Sequence, residues 1–127
     1  MDAATVADAL VGRGYTLAVE DHRLQVRGAE PPPDNLDRAI AETRNALAAR
    51  VLLANPPPWL ERLFELWRSG HETPVRLTAP TGKAEVYMVR VSIKNFAAAV
   101  AAEIGMDPLR WEAIREEVEE ALGSWKR

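Results

Sequence analysis

The chain has 127 residues, 47% hydrophobic and 28% charged, which is typical of a globular protein of one domain or two very small ones. Its net charge of −3 argues mildly against nucleic-acid binding, because nucleic-acid binders usually carry a basic surface. The absence of cysteine excludes disulfides and thiolate chemistry and fits a cytoplasmic location. We expect no membrane association, since no secretion signal or membrane-length apolar run is present.

The first predicted element is a helix from Thr5 to about Arg13. Thr5 and Asp8 resemble a weak capping box, and Gly14 is placed to end the helix. The apolar residues of this helix share one side, namely Val6, Ala9, Leu10 and, at the margin, Val11.

A tight β-hairpin is predicted next, between Gly14 and Gly28. Apolar residues alternate along both strands, and only Asp21 and His22 separate them, the length of a two-residue turn. The alternating residues are Leu17, Val19, Leu24 and Val26. Because a two-stranded hairpin is barely stable alone, it must pack on helices by one face. Its other face and a free edge then form a candidate docking surface.

The segment after the hairpin predicts a second helical region that ends at a proline run. Residues 28–33 form a turn, and Asp34 is the expected helix cap. An interruption of the helix within 41–44, which would give a short helix followed by a longer one, is an alternative. Apolar side chains at 36, 40, 47 and 51 share one helical face. The prolines at 56–58 stop this helix and predict a stiff spacer.

The second half repeats the order helix, hairpin, helices. Trp59 to about Ser69 is a predicted helix with Leu60, Leu63, Phe64 and Trp67 on one face, which Gly70 ends. Strands are predicted over 74–79 and 84–93, joined by a turn at 80–83, with positions 87, 89, 91 and 93 buried. Asn95 is expected to cap a helix that runs to Ile104.

The last predicted helix has Asp107 as its cap and Pro108 at its first position. Together these elements predict an α+β fold of two small modules, residues 1–54 and 59–127, joined by a proline-rich linker at 55–58. Each module has the order helix, β-hairpin, one or more helices. The two modules share no residue-level identity, so either a duplication or two unrelated small α+β units would fit.

The first module resembles the TubC-type N-terminal docking domains of nonribosomal peptide and polyketide synthetases. The matching stretches are LVGRGYTL at 10–17, RLQVRG at 23–28, LDRAI at 36–40 and RNAL at 44–47, with a proline-bearing loop between the second and third. The resemblance covers about residues 3–54. It implies a homodimer whose hairpin receives a short peptide from a partner protein as an added strand.

The outer face of the hairpin is the predicted partner-binding surface. It is expected to carry Thr16, Ala18, Glu20, Arg23, Gln25 and Arg27. An extended acidic peptide could pair with a free strand edge through backbone hydrogen bonds, while Arg23 and Arg27 bind its carboxylates. The alternative is that these are solvated residues that protect an edge strand. The leading hypothesis is therefore a non-enzymatic docking or adaptor protein.

The final helix offers a second candidate surface, a possible dimer interface. It consists of Trp111, Ile114, Val118 and Trp125, which recur at near-heptad spacing. Packing of this face within the same chain is the favoured alternative, because the run is too short for a stable coiled coil.

Catalytic, cofactor-binding and metal-binding residues are not expected. His22 and His71 each have a neighbouring acid but no third partner at ligand spacing, and residues 81–84 lack the full phosphate-loop motif. Two other functions stay open: an antitoxin-like or structural dimer, and a nucleic-acid accessory protein of a mobile element. The second would use a basic patch made of Arg62, Arg68, Arg76, Lys83, Arg90 and Lys94.

Overall fold

The computed structural model describes residues 2–68, 75–78, 85–88 and 92–125; the side chains of both short strand segments and of Trp125 lie outside this description. The elements are α1 (Ala3–Gly12), β1 (Thr16–Glu20), β2 (Arg23–Arg27), α2 (Asp34–Ala54), α3 (Pro58–Arg68), β3 (Val75–Thr78), β4 (Glu85–Met88), α4 (Ile93–Glu103), a 3₁₀ helix (Pro108–Ile114) and α5 (Arg115–Trp125). This confirms the predicted α+β class.

The first helix begins earlier than the sequence predicts. Asp2 is its cap: the Thr5 amide donates to the Asp2 carboxylate at 2.8 Å, and this bond lowers the pKa of that carboxyl. The prediction of Thr5 as the cap was therefore wrong. Asp2 has an extended backbone and an oxygen in reach of the free N–H groups of the first turn, which is what a cap requires.

Helix α2 is one continuous helix of 21 residues, without the predicted interruption at 41–44. Thr43 lies inside the helix, where its hydroxyl donates to the Ala39 carbonyl at 2.7 Å. Asp34 is the first helical residue and not the cap. Pro33 occupies the cap position and makes no side-chain cap bond there.

The β1–β2 hairpin has the predicted register. Val19 lies opposite Leu24 and Leu17 opposite Val26, which leaves Asp21 and His22 as the turn. Both turn residues have positive φ, 51° and 61°, the signature of a type I′ turn. The two-residue spacing in the sequence therefore determined the pairing.

The second hairpin is described over Val75–Thr78 and Glu85–Met88, which lie within the two predicted strands. Strands β3 and β4 are antiparallel, with Val75 opposite Met88. The predicted turn at 80–83, Gly70, and the buried positions 87, 89 and 91 lie outside the described residues or side chains.

Helix α4 begins at Ile93 and is capped by Ser92, whose hydroxyl accepts from the Asn95 amide at 3.1 Å. The predictions of Ile93 as strand and Asn95 as cap were wrong.

The last predicted helix is divided in two. Asp107 caps it as expected, accepting from the Leu109 amide at 2.9 Å, and Pro108 follows. A 3₁₀ helix then continues to Ile114, with Arg110 outside helical geometry, and the α-helix starts at Arg115. Because residues three apart lie on one side of a 3₁₀ helix, Trp111 and Ile114 both reach the core.

Helix α2 organises the core. It contacts α1 and the hairpin on the N-terminal side of the linker, and α4, the 3₁₀ helix and α5 on the C-terminal side. Fully buried side chains from both segments, such as Leu47, Phe96 and Val118, belong to one hydrophobic cluster. Separate folding of residues 1–54 and 59–127 stays a prediction. None of the helices in the described ranges has both the length and the apolar content to cross a bilayer.

Candidate docking site

The inner face of the β1–β2 hairpin belongs to the core. Leu24 is buried, Leu17, Val19 and Val26 are half-buried, and both strands contact α2. Alternation explains this placement, because successive side chains of a strand point to opposite faces. Burial of the inner face fixes which six residues form the outer face.

The outer face gathers the six predicted partner-binding residues. Four are exposed and two, Ala18 and Gln25, are half-buried. The exposed members are Thr16, Glu20, Arg23 and Arg27. The geometry thus places the predicted set together on one side of the hairpin.

An ion pair crosses this face. The Arg27 guanidinium donates to both carboxylate oxygens of Glu20, at 2.7 and 3.3 Å. The Ala18–Gln25 pair lies between these residues in the register, so the ion pair passes over it. Both partners are largely exposed, and such pairs contribute less than about 1 kcal/mol. An acidic guest must displace Glu20 to reach Arg27, whereas Arg23 has no ion pair within the described ranges.

The strand edges carry backbone groups that an added strand could use. In a hairpin closed by a two-residue turn, the residues flanking the turn bond to each other, and the next pair points its N–H and C=O groups outward. Leu17 and Val19 therefore present the β1 edge, and Leu24 and Val26 the β2 edge. None of the four has a further backbone partner in the described part of the chain. Leu24 is only 8% exposed, whereas Leu17, Val19 and Val26 are half-buried, so Leu24 is the least accessible of these four positions.

The turn end of the hairpin rests on the end of α4. His22 Nδ1 lies 3.0 Å from the Glu103 carbonyl oxygen and 3.9 Å from Glu103 Oε2. That carboxylate oxygen is buried and, in the described residues, without a hydrogen bond. Gly105, at φ +83°, lies against the His22 carbonyl, where a Cβ would collide with it. Sequence reasoning missed this role of His22, because its partner is 81 residues away.

A groove of about 620 Å³ borders the open end of the hairpin, between α1, the end of α2 and α5. Its apolar walls include Val11, Leu17, Val51 and Ala121, and the Arg50–Glu120 ion pair, 3.1 Å, lies at its side. The sequence placed Val11 at the margin of the apolar side of α1. In the structure Val11 is 62% exposed and lines this groove instead of the core.

The residues predicted as a dimer interface occupy different environments. Ile114 and Val118 are fully buried within the chain, so their side chains offer no free surface to a second copy. Trp111 is half-buried, with the Arg115 guanidinium 5.7 Å from its ring centre. The Trp125 side chain lies outside the described residues. The alternative of intramolecular packing accounts for Ile114 and Val118.

The predicted basic patch is only partly described. Arg62, Arg68 and Lys94 are exposed, and Arg62 pairs with Glu65 at 3.7 Å. The side chains at 76, 83 and 90, like His71, lie outside the description. In the ranges that are described, no three His, Cys, Asp or Glu side chains come together to hold a metal ion.

Comparison with family models, with curated proteins and with solved structures found no match to this chain. The TubC-type resemblance of residues 3–54 therefore stays a prediction.

Proposed function

We propose that this protein is a non-enzymatic docking adaptor of the cytoplasm. It binds an extended segment of a protein partner, which joins the hairpin at residues 15–27 as an added strand. The observation that carries the proposal is the open β1 edge: the outward backbone groups of Leu17 and Val19 have no backbone partner among the described residues. Added strands obtain affinity from such groups and specificity from neighbouring side chains.

The charge of the outer face supports an acidic partner segment. Arg23 is exposed without an ion pair in the described ranges, and the pair that Arg27 forms with Glu20 is solvent-exposed. Carboxylates of a guest strand could bind Arg23 without displacing an ion-pair partner in the described ranges, and they could compete with Glu20 for Arg27. The homodimer implied by the TubC-type resemblance belongs to the same proposal.

A chemical cross-linking pull-down from the native host tests the docking role. The full chain is compared with the double variant R23E/R27E and with Arg38→Glu, which reverses an exposed charge on α2 instead of on the hairpin. We expect the double variant to lose the partner and Arg38→Glu to retain it. Equal capture by all three proteins contradicts the assignment of the outer face.

The edge used by the partner is tested with proline. Val19→Pro removes an outward N–H from β1, and Val26→Pro does the same on β2, while neither removes a hydrogen bond between the two strands. With the fold of each variant checked by its amide NMR spectrum, we expect Val19→Pro to abolish binding and Val26→Pro to preserve it. The reverse result assigns the β2 edge, and full binding by both rejects strand addition.

A further inference from the structure

A second cleft lies at the turn end of the hairpin, between the turn, the middle of α2 and the loop after α4. It measures about 550 Å³. Its polar lining is Asp21, His22, Arg23, Arg44 and Asn45, with the Gly105 backbone at one side. The chain therefore brings two arginines, from β2 and from α2, to one concave surface.

The two arginines of this cleft have no side-chain partner in the part of the chain that the structure describes. Arg23 and Arg44 are exposed, and within the described ranges neither forms an ion pair or a side-chain hydrogen bond. By comparison, Arg27, Arg50 and Arg115 are each paired with a glutamate, whereas Arg13 and Arg38 are exposed and, like Arg23 and Arg44, have no ion pair in the described ranges. Two arginines and an asparagine that line the same cleft, without partners in the described ranges, offer guanidinium and amide donors to an oxyanion.

The apolar floor and the packed wall of the cleft favour a ligand-binding site over an ordinary solvated surface. Leu24, Ala48 and Ile104 line it with buried apolar side chains. The His22 contact with Glu103 and the close approach of Gly105 hold the turn against α4, so one wall is set by long-range packing. A preformed wall reduces the ordering cost of binding.

Nearby acids indicate the charge of the ligand. Asp21 lines the cleft, and Glu103 lies behind His22. These carboxylates offset part of the charge of Arg23 and Arg44, so a group with one negative charge fits better than a dianionic phosphate. A carboxylate also accepts the two parallel hydrogen bonds that a guanidinium donates.

We propose that the cleft between the β1–β2 turn and α2 is a carboxylate site, in which Arg23, Arg44 and Asn45 bind an acidic side chain of the docked partner segment. The identity of the ligand rests on the proposed docking function. The cleft gives that segment a second point of recognition beside the strand edge. It depends on Arg44, which the outer face of the hairpin does not include.

The test is an amide NMR titration of the full chain at low ionic strength. The probe is a capped peptide of alternating valine and aspartate, matched in length to the five residues of β1, the proposed docking edge. Its matched control has asparagine in place of aspartate. We expect the aspartate peptide to shift the amides of Arg23, Asn45 and Gly105. We expect Arg44→Gln to weaken its binding about tenfold, and Arg38→Gln to leave binding unchanged.

The outcomes separate the site from the docking function. Binding of the aspartate peptide that is insensitive to Arg44→Gln, or equal binding of the asparagine peptide, overturns the carboxylate site and leaves strand docking in place. If neither peptide shifts any amide of the hairpin, both proposals fail. A short oligothymidylate that binds with the same dependence on Arg44, while the aspartate peptide does not, assigns the cleft to nucleic-acid phosphates and overturns the proposal.

Discussion

The two ends of the β1–β2 hairpin are held in different ways. At the turn end, Gly105 lies against the His22 carbonyl, so backbone meets backbone between distant parts of the chain. At the open end, Gly28 lies against the Tyr15 ring. A Cβ added at Gly28 would lie 2.5 Å from Tyr15 Cδ1. The two close contacts should therefore tolerate an added methyl group differently. The Tyr15 ring can rotate away from it, whereas the His22 carbonyl cannot move unless the whole turn moves.

The surfaces beside the two ends also differ. The turn end borders the cleft with Arg23 and Arg44, and the open end borders the apolar groove with Val11 and Val51. A guest strand that runs along the hairpin would meet charge at one end and hydrocarbon at the other. The hairpin therefore has a direction that a guest can distinguish.

Gly105→Ala should have the largest effect of the changes at the two ends. The new Cβ collides with the His22 carbonyl, and φ of +83° disfavours any L side chain, so we expect a loss of about 2–3 kcal/mol in unfolding free energy. Urea denaturation measures it. Gly12→Ala is the matched control, because nothing lies near its Cβ, and it should be neutral or slightly stabilising. Equal values for both would show that the turn end is not packed as described.

Gly28→Ala should cost less, about 1 kcal/mol, since the Tyr15 ring can leave its rotamer to make room. The same denaturation experiment is repeated with Tyr15→Leu as the background. Removal of the ring should abolish the cost of the alanine. A cost that persists without the ring would place the strain in the backbone and would remove the contrast between the two ends.

His22→Asn tests the side-chain contact at the turn end. Asparagine tolerates the positive φ of this position but cannot reach the Glu103 carbonyl as the imidazole does. We expect a loss of about 1 kcal/mol in unfolding free energy, the usual contribution of one hydrogen bond. Asp21→Asn changes the same turn without that contact and should be near neutral. A similar loss in both variants would attribute the effect to the turn alone.

The ion pair that joins β1 to β2 should contribute least. A double-mutant cycle with Glu20→Gln and Arg27→Gln is expected to give a coupling of about 0.5 kcal/mol that decreases with added salt. A coupling above about 1 kcal/mol would mean that Glu20 holds Arg27 too firmly for an acidic guest to displace it. In that case Arg23 alone would remain as the cation of the outer face.

Much of the hairpin could be predicted from the sequence, and little of what surrounds it. Alternation and the two-residue turn predicted the register and the six residues of the outer face, because side-chain parity in a strand is a local property. The helix starts were less predictable. Thr5, Asp34 and Asn95 all have capping side chains, but Asp2, Pro33 and Ser92 occupy the cap positions, since backbone geometry and packing choose among nearby candidates.

The sequence by itself determined the α+β class, the hairpin and its two faces, because periodicity and turn chemistry act over a few residues. Only the tertiary structure decided that Arg27 pairs with Glu20, that His22 and Gly105 meet, and that Arg23 and Arg44 line one cleft. These contacts join residues from separate elements, and their geometry depends on how the helices pack around α2. The local sequence pattern predicts the hairpin, whereas tertiary packing brings together the residues at its two ends.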